Sequence, residues 1–578
     1  MILSKKRWGL IAVFILSVFS ILSLFHQGFF AVHDDTQVAR VYEMGKALKD
    51  GMFPVRWAAN LGYGYGYPIF NFYAPLAYYI GGFLTLLGFD ALLATKLMIG
   101  LGVLLSGIFM YLLTREFWGE LGGIVSALFY VYAPYHALDI YVRGDVGEFW
   151  AYAFIPLMAL GFYKGIRGDW GWMTVGAVGF AGVILSHNLT AMMIAPIVAI
   201  VSLFHCYLAF RNKKNLILNT MYLILPVILG LLLSAFYWLP ALLEMQYTNV
   251  LSQIGGGADF RDHFVCIQQL WSSPWRFGGS TSGCIDGMSF RIGKLHLVIS
   301  LLAILSLFIV GFNKDIKKYL KNTSHLNSKT EIIFLAFLGF AASIFLTLEV
   351  SKPIWEAVWV MAFFQYPWRF LILSSFFSSI LAGSVIWYLI QNLKKIRNSK
   401  IILSSISIFF IFLLLYSNVK LFVPEKFNYK SLSDYISPFA LRWTASKISD
   451  EFMPQNFSRP KSPVEIVNNK IIDNNSVQII NSSEKTQGLT VEVQASKDSS
   501  ILIKTTYFPS WNISVDGKKS SFEATNEGLV VPIEKGEHSL KLEFISTPVE
   551  KAANVLSLSS ILIIILGIIY QRRSKNRE

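Results

Sequence analysis

Charged side chains are scarce in this chain: 15% of its 578 residues are Asp, Glu, Lys or Arg, against 54% that are hydrophobic. A soluble core cannot absorb that apolar fraction over this length, so the composition excludes a single soluble domain and indicates a polytopic membrane protein. Cysteine is scarcer still, three in all, and no zinc-type Cys/His spacing is present. There is no Walker loop and no GxGxxG followed by a soluble βαβ unit, so nucleotide-driven chemistry finds no support. Any donor substrate should therefore reside in the membrane. Internal repeats are lacking too, which weighs against the two-halved architecture of many transporters. The net charge of +14 does not signal nucleic acid, because the basic residues fall largely in short loops between apolar runs, as the positive-inside rule requires.

What is present is a series of runs long enough to cross about 30 Å of hydrocarbon. The first, Trp8 to Phe25, follows Lys5, Lys6 and Arg7; it has no small-residue cleavage pattern and reads as a retained helix with a cytoplasmic N-terminus. Others lie near 91–113, 120–137, 148–163, 188–210, 217–240, 295–312, 331–349, 367–391, 401–417 and 552–570, with shorter candidates at 73–89 and 172–186. Basic clusters at Arg211/Lys213/Lys214, Lys314 to Lys321, Lys394 to Lys400 and Arg572/Arg573/Lys575/Arg577 should be cytoplasmic, which puts 26–72, 241–293 and 418–550 outside. Parity between 26–72 and 211–214 requires that one candidate fail to cross. Pro68, Pro75 and Gly81-Gly82 single out 73–89 over 172–186, giving about twelve crossings.

From Asn418 the composition shifts to Asn, Ser, Lys and Asp, and the chain reads as three units: 1–417 in the membrane with outer loops 26–72 and 241–293, an extracytoplasmic β-rich domain at 418–550, and a last helix with a basic cytoplasmic tail at 551–578. The second half of the outer domain alternates apolar and polar residues between turns at Asp516-Gly517, Asn526-Glu527-Gly528 and Lys535-Gly536, the pattern of an antiparallel β-sandwich. Cys266 and Cys284 share an outer loop, where an oxidising compartment permits a disulfide.

Ionisable groups kept at helix ends are functional candidates because they are costly near hydrocarbon. The stretch "FFAVHDDTQVARVYEMGKALKDGMFPVRW" supplies His33, Asp34 and Asp35; "PYHALDIYVRGDVGEFWAYAFIPL" supplies Asp139, Arg143, Asp145 and Glu148. "SHNLTA" adds His187 and Asn188, "QYPWRF" adds Arg369, and the large loop adds Arg276, Arg291 and Lys294. Each has a plainer reading: Asp34-Asp35 as a solvated loop or helix cap, Arg143 with Glu148 as a structural ion pair, His187 as an interfacial histidine, Arg369 as an interfacial anchor. Their coincidence on one side is what favours a site. The aromatics Tyr63, Tyr65, Tyr67, Phe70 and Tyr73 suit either an interfacial belt or a stacking surface for sugar or isoprenoid.

A first helix, an outer loop opening with adjacent acids, many spans and a C-terminal outer domain together resemble the GT-C class of membrane glycosyltransferases. The segments "HDDTQVARVYEMGKALKDGMFPVRW", "GYGYPIFNFYAPLAYY", "PYHALDIYVRGDVGEF", "SHNLTA", "SSPWRFGGS" and "QYPWRF" resemble membrane proteins related to 6-pyruvoyl-tetrahydropterin synthase, and "TYFPSWNISVDGKK" is similar to YfhO-like bacterial membrane proteins. The pterin-synthase label has no counterpart in these residues, which carry neither a zinc-histidine set nor a soluble fold. The GT-C resemblance implies a polyprenyl-phosphate sugar as donor, transfer to an envelope glycan, lipid or protein on the extracytoplasmic side, and a plasma-membrane location. It implies Asp34 first and Asp35 second as general base in an inverting displacement, with Mg or Mn shared by the two acids as an option. Arg143 and Arg369 would hold the lipid phosphate, with Glu148 orienting Arg143 and His187 serving phosphate or acceptor. His33, Asp139, Asp145, Arg276 and Arg291 are secondary candidates. The alternative reading is a flippase or a non-catalytic assembly protein for lipid-linked glycans.

Overall fold

The computed structural model describes the chain except residues 1–7, 167, 212–215, 251–254, 256–257, 313–323, 394–397, 456, 473–474 and 576–578. Most of the basic residues used above to orient the chain, Lys213, Lys214, Lys314 to Lys321, Lys394, Lys395, Arg397 and Arg577, lie outside the described residues. The main helices are α1 (Trp8–Val18), α2 (Gln37–Lys49), α3 (Leu76–Leu86), α4 (Ala91–Val131), α5 (Val146–Gly165), α6 (Trp170–Ser186) and α7 (Asn188–Arg211), then α8 (Leu216–Leu233), α9 (Ala235–Leu243), α10 (Lys294–Phe312), α11 (Ser324–Thr347), α12 (Leu371–Leu393), α13 (Ser399–Asn418) and α14 (Pro548–Lys575).

Among the described residues six helical stretches are long and apolar enough to cross a membrane, or seven if α8 and α9, bent by 71°, form one broken span; α1, α3, α6 and parts of α7 and α10 are shorter apolar helices. The 11-residue α3 rises only about 16 Å, short of a hydrocarbon core. The α4 range looks like one long helix but doubles back at Gly119, whose φ of 76° only glycine adopts freely. Thr114 and Tyr111 on the first limb meet Gly123 and Glu120 on the second, and a Cβ at Gly107 would come within 2.9 Å of Val131. Two antiparallel limbs result, as the two runs at 91–113 and 120–137 anticipate.

Small residues set the closest helix contact. A Cβ at Gly161, Gly176 or Gly179 would drive into the facing helix or its neighbouring side chain at under 3.0 Å, so α5 and α6 pack almost backbone to backbone. They run antiparallel, which brings the start of α5 to the end of α6: at Gly147 an added Cβ would lie 2.8 Å from the Ser186 carbonyl oxygen. α12 packs along the second limb of α4, with Gly383 against Gly122, Ser126 and Trp118.

The C-terminal region holds strands β1 (Val477–Lys485), β2 (Gly488–Ala495), β3 (Ser499–Ile503), β4 (Trp511–Val515), β5 (Lys518–Lys519), β6 (Glu523–Thr525), β7 (Gly528–Ile533) and β8 (Gly536–Phe544). They form two antiparallel sheets, ordered β1-β2-β8-β4-β5 and β3-β7-β6. Alternate residues are buried, Leu489, Val491 and Val493 with Leu540 and Leu542 in one sheet and Leu529, Val531 and Ile533 in the other, the period-2 pattern read from the sequence. This region does not stand apart. Thr505 and Thr506 hydroxyls donate to the carbonyls of Tyr65 and Gly66, Thr486 donates to Asp50, and Phe29–Phe30 pairs antiparallel with Phe427–Asn428.

Candidate active site

The site is built where α5 begins, α6 ends and α12 is about to begin. After Pro134–Leu138 the chain makes a wide helical turn, Asp139–Arg143, and reverses at Gly144, whose φ is 67°. Asp145 then caps α5 by accepting from the Glu148 backbone N–H at 3.1 Å. The 33–37 loop is stapled to this reversal: the N–H groups of His33 and Asp34 donate to the Val142 and Arg143 carbonyls, both at 3.0 Å, and the Gln37 amide donates to Gly144 at 2.8 Å. Backbone bonds therefore carry Asp34 to Asp145, residues that the sequence separates by a whole helical hairpin.

Arg143 is held by three carboxylates and a phenol. It donates to Glu148 at 2.8 Å, to Asp145 at 2.7 Å, and also to Asp139 and Tyr135, with its guanidinium carbon 4.6 Å from the Trp368 ring centroid. Arg369 completes the cluster from the turn before α12, donating to Glu148 at 3.1 Å and approaching His187 Nε2 at 3.3 Å and Asp145 at 3.7 Å. Its buried Nε–H has no hydrogen-bond partner among the described residues. Asp34 lines the same cavity, yet its carboxylate makes no hydrogen bond with the described residues.

The electrostatics divide the acids. Burial and then the Asp145 charge push Asp34 above the usual carboxylate range, against Arg143, Arg40 and Arg369. Burial would raise Asp145 as well, but Arg143, Arg369 and the Glu148 N–H outweigh it and hold Asp145 well below that range. Burial lowers His187 despite Asp145 and Glu148, so its imidazole is neutral near pH 7. Asp34 thus stands as the basic carboxylate and Asp145 as the permanently ionised one.

These groups face a cavity of about 610 Å³ lined by Asp34, Tyr73, Asp145, His187, Asn188, Gln365, Arg369 and Glu451 at its polar end, and by Phe180, Ile184, Leu189, Met192, Leu231, Trp238 and Leu242 along α6 to α9. A charged head beside an apolar slot is the complement of an amphiphile.

Several expectations meet the structure differently. Asp34 and Asp35 do not share a site: Asp35 faces Lys430 and Tyr435, because adjacent residues leading into a helix diverge. The acid pair is therefore not the natural cation site. Asp145, Glu148 and His187 instead bring one ligand atom each within 4.8 Å of one another. His33 is exposed and bonds the Phe277 carbonyl at 3.0 Å. Asp139 pairs with Arg143 behind the cavity. Arg276 reaches the Asp286 carbonyl and Arg291 lies over Trp275; neither lines the cavity. Cys266 and Cys284 are bonded, with Cα atoms 5.5 Å apart. Tyr63 and Tyr67 are fixed by Asp450 and Ser449, and of the five aromatics named above Tyr73 lines the cavity, beside Phe72.

Sequence reasoning missed Arg40 and Glu451. Arg40 donates to Ser449 at 2.7 Å and to Tyr78 at 3.1 Å, and Ser449 donates to Glu451 at 3.0 Å. The link joins residues about 400 positions apart and has no local signature; a buried charge on the apolar face of α2 was the available signal.

Among solved structures, the oligosaccharyltransferase of Archaeoglobus fulgidus tethered with an acceptor peptide is similar over 72% of this chain and 55% of its own, at 12% identity and TM-score 0.44. The arabinofuranosyltransferase AftD from Mycobacteria is similar over 73% of this chain and 28% of its own, at 13% and 0.44. ArnT from Cupriavidus metallidurans bound to undecaprenyl phosphate is similar over 72% and 88%, at 12% and 0.30. A Lactococcus lactis subsp. cremoris (strain MG1363) protein, itself uncharacterised, is 25% identical over 306 residues, 51% of this chain and 48% of that protein. The chain thus spans about half the length of that relative. Residues 70–269 match the 6-pyruvoyl-tetrahydropterin synthase related domain of membrane proteins, the family that the sequence motifs resemble.

Proposed function

We propose that this chain is a membrane glycosyltransferase that moves a sugar from a polyprenyl-phosphate sugar to an envelope acceptor on the extracytoplasmic side. The observation that carries the reading is the Asp34 carboxylate, unbonded among the described residues and raised in pKa, sharing with Arg369 and His187 the polar end of a cavity whose other end is apolar. The apolar slot takes the isoprenoid and the Arg369 end takes the phosphate. Arg369 is the phosphate group's partner because it lines the cavity, whereas Arg143, fully engaged with carboxylates, positions Asp145 and Glu148.

The reaction is a single inverting displacement. Asp34 accepts the proton of the acceptor hydroxyl as its oxygen bonds to the anomeric carbon; the bond from that carbon to the phosphate oxygen breaks, and the lipid phosphate leaves carrying the electron pair. Arg369 and the neutral His187 meet the developing negative charge. Four carboxylates, Asp34, Asp139, Asp145 and Glu148, surround two guanidiniums, and the oxygen and imidazole donors of Asp145, Glu148 and His187 suit Mg or Mn. Bound there, such an ion would neutralise phosphate charge.

The test is transfer of labelled sugar from a panel of polyprenyl-phosphate sugars to endogenous membrane acceptors by wild type and Asp34→Asn. The expected result is transfer by wild type and a loss of about 10²- to 10⁴-fold in the variant. Transfer at an undiminished rate in Asp34→Asn overturns the base assignment. No transfer by folded wild type from any donor overturns the enzyme reading in favour of a flippase or assembly role.

A further inference from the structure

A second cleft lies directly behind one wall of the active-site cavity. It has a volume of about 190 Å³ and is lined by Tyr65, Tyr247, Phe457 and Tyr507 with the amides of Gln246, Gln455 and Asn526 and the hydroxyls of Thr505 and Thr525; none of the described residues that line it is charged. Two short segments separate it from the cavity. In the first, Met245 faces the cavity while Gln246 and Tyr247 face the cleft; in the second, Phe452 faces the cavity while Pro454 and Gln455 face the cleft. The Gln455 amide donates to the Gln246 carbonyl at 3.4 Å, closing the two segments into one wall.

The cleft is built from four parts of the chain. Tyr65 comes from the aromatic loop and stands edge-on to Phe457, with ring centroids 5.3 Å apart. Tyr507 comes from the β region, and Tyr247 stands edge-on to Phe508. Tyr247 and Tyr507 nevertheless keep 38% and 37% of their surfaces exposed, so their faces are held but not covered. Past Thr525 and Asn526 the cleft opens into a shallower groove of about 550 Å³ along Ser500, Leu502, Val530 and one acid, Glu527. Fixed aromatic faces interleaved with neutral amides and hydroxyls match a ligand with apolar C–H faces and many hydroxyls. A charged polymer would find no counter-charge in the cleft itself, and a lipid would leave its amides unpaired.

We infer that this cleft and groove bind a neutral saccharide chain, the acceptor glycan, held beside the Asp34 cavity. The inference rests on the glycosyl-transfer reading and names its acceptor class.

The test is binding of fluorophore-labelled α-glucan, β-glucan, galactan and mannan hexasaccharides to the full-length protein in detergent, with an uncharged octapeptide as competitor. At least one hexasaccharide binds wild type, and Tyr247→Ala and Tyr507→Ala each weaken it about tenfold or more. Gln455→Ala, at an exposed position, gives a weaker loss and guards against misfolding of the tyrosine variants. The assay holds no donor and reads no transfer, so a failed base assignment leaves this result standing. Binding of none of the four, equal binding by the folded cleft variants, or displacement by the peptide overturns the inference, while transfer by wild type would still support the enzyme reading alone.

Discussion

Two arginines at the site should fail in different ways. Arg143 neutralises Asp139, Asp145 and Glu148 and is almost wholly buried. Arg143→Ala strands the buried Asp139 and leaves Asp145 and Glu148 to Arg369 alone, a loss of about 3–5 kcal/mol for a broken buried pair, large against the 5–15 kcal/mol that typically holds a domain together. Arg369 shares Glu148 and Asp145 with Arg143, which still grips both when Arg369 changes. Arg369→Lys keeps the charge and loses the guanidinium fork that phosphate engages. One lost hydrogen bond to a charged group is about 1.5–3 kcal/mol, so kcat/KM for the lipid-phosphate donor should fall about 10- to 100-fold with the melting temperature little changed. Thermal melting in detergent, run beside transfer kinetics at varied donor concentration, separates the two. Wild-type melting of Arg143→Ala would refute its structural role. Unchanged donor kinetics in Arg369→Lys would refute phosphate binding at Arg369.

Other outcomes follow from the same geometry. A base must be deprotonated, so transfer should rise with pH through Asp34's folded pKa, which lies above 3.8; the acid limb of the pH–rate profile should vanish in Asp34→Asn. A carboxyl that binds its proton more tightly when folded destabilises the fold once ionised, so stability from this group is present below its unfolded pKa and lost as pH rises. Asp34→Asn should therefore melt no lower than wild type at pH 7, and a lower melting point would contradict the environment assigned to Asp34. Gly147→Ala pushes a methyl to 2.8 Å from the Ser186 carbonyl; it should destabilise by about 1–3 kcal/mol and reduce transfer by separating Asp145 from His187, read by melting and kinetics together. Cys266→Ser opens a loop closed over 18 residues and should cost about 3 kcal/mol, visible as a lower melting point matched by reducing the wild type.

The division between what could be read early and what could not follows the range of the forces involved. Hydropathy and alternation are local, so the apolar helices, the period-2 strands and the turns at Asp516-Gly517 and Gly536 were legible in the residues themselves. Scarcity did the same for the site: in so apolar a chain, Asp34, Asp145, Glu148, His187 and Arg369 stood out because each charge near hydrocarbon needs a partner. Apart from the pairing of Arg143 with Glu148, which partner was beyond the sequence. Asp34 and Asp35 are chemically identical neighbours, and only the staple from the 33–37 loop to the Gly144 reversal turns one into the cavity and the other toward Lys430. Arg143 and Arg369 looked interchangeable until packing buried one among carboxylates and left the other at the cavity wall. Arg40, Ser449 and Glu451 meet across about 400 residues, a contact that no local pattern encodes. Composition and periodicity set the elements, because solvent transfer and backbone geometry act within a few residues; tertiary packing alone set the roles, because electrostatics depends on distances that the chain order does not contain.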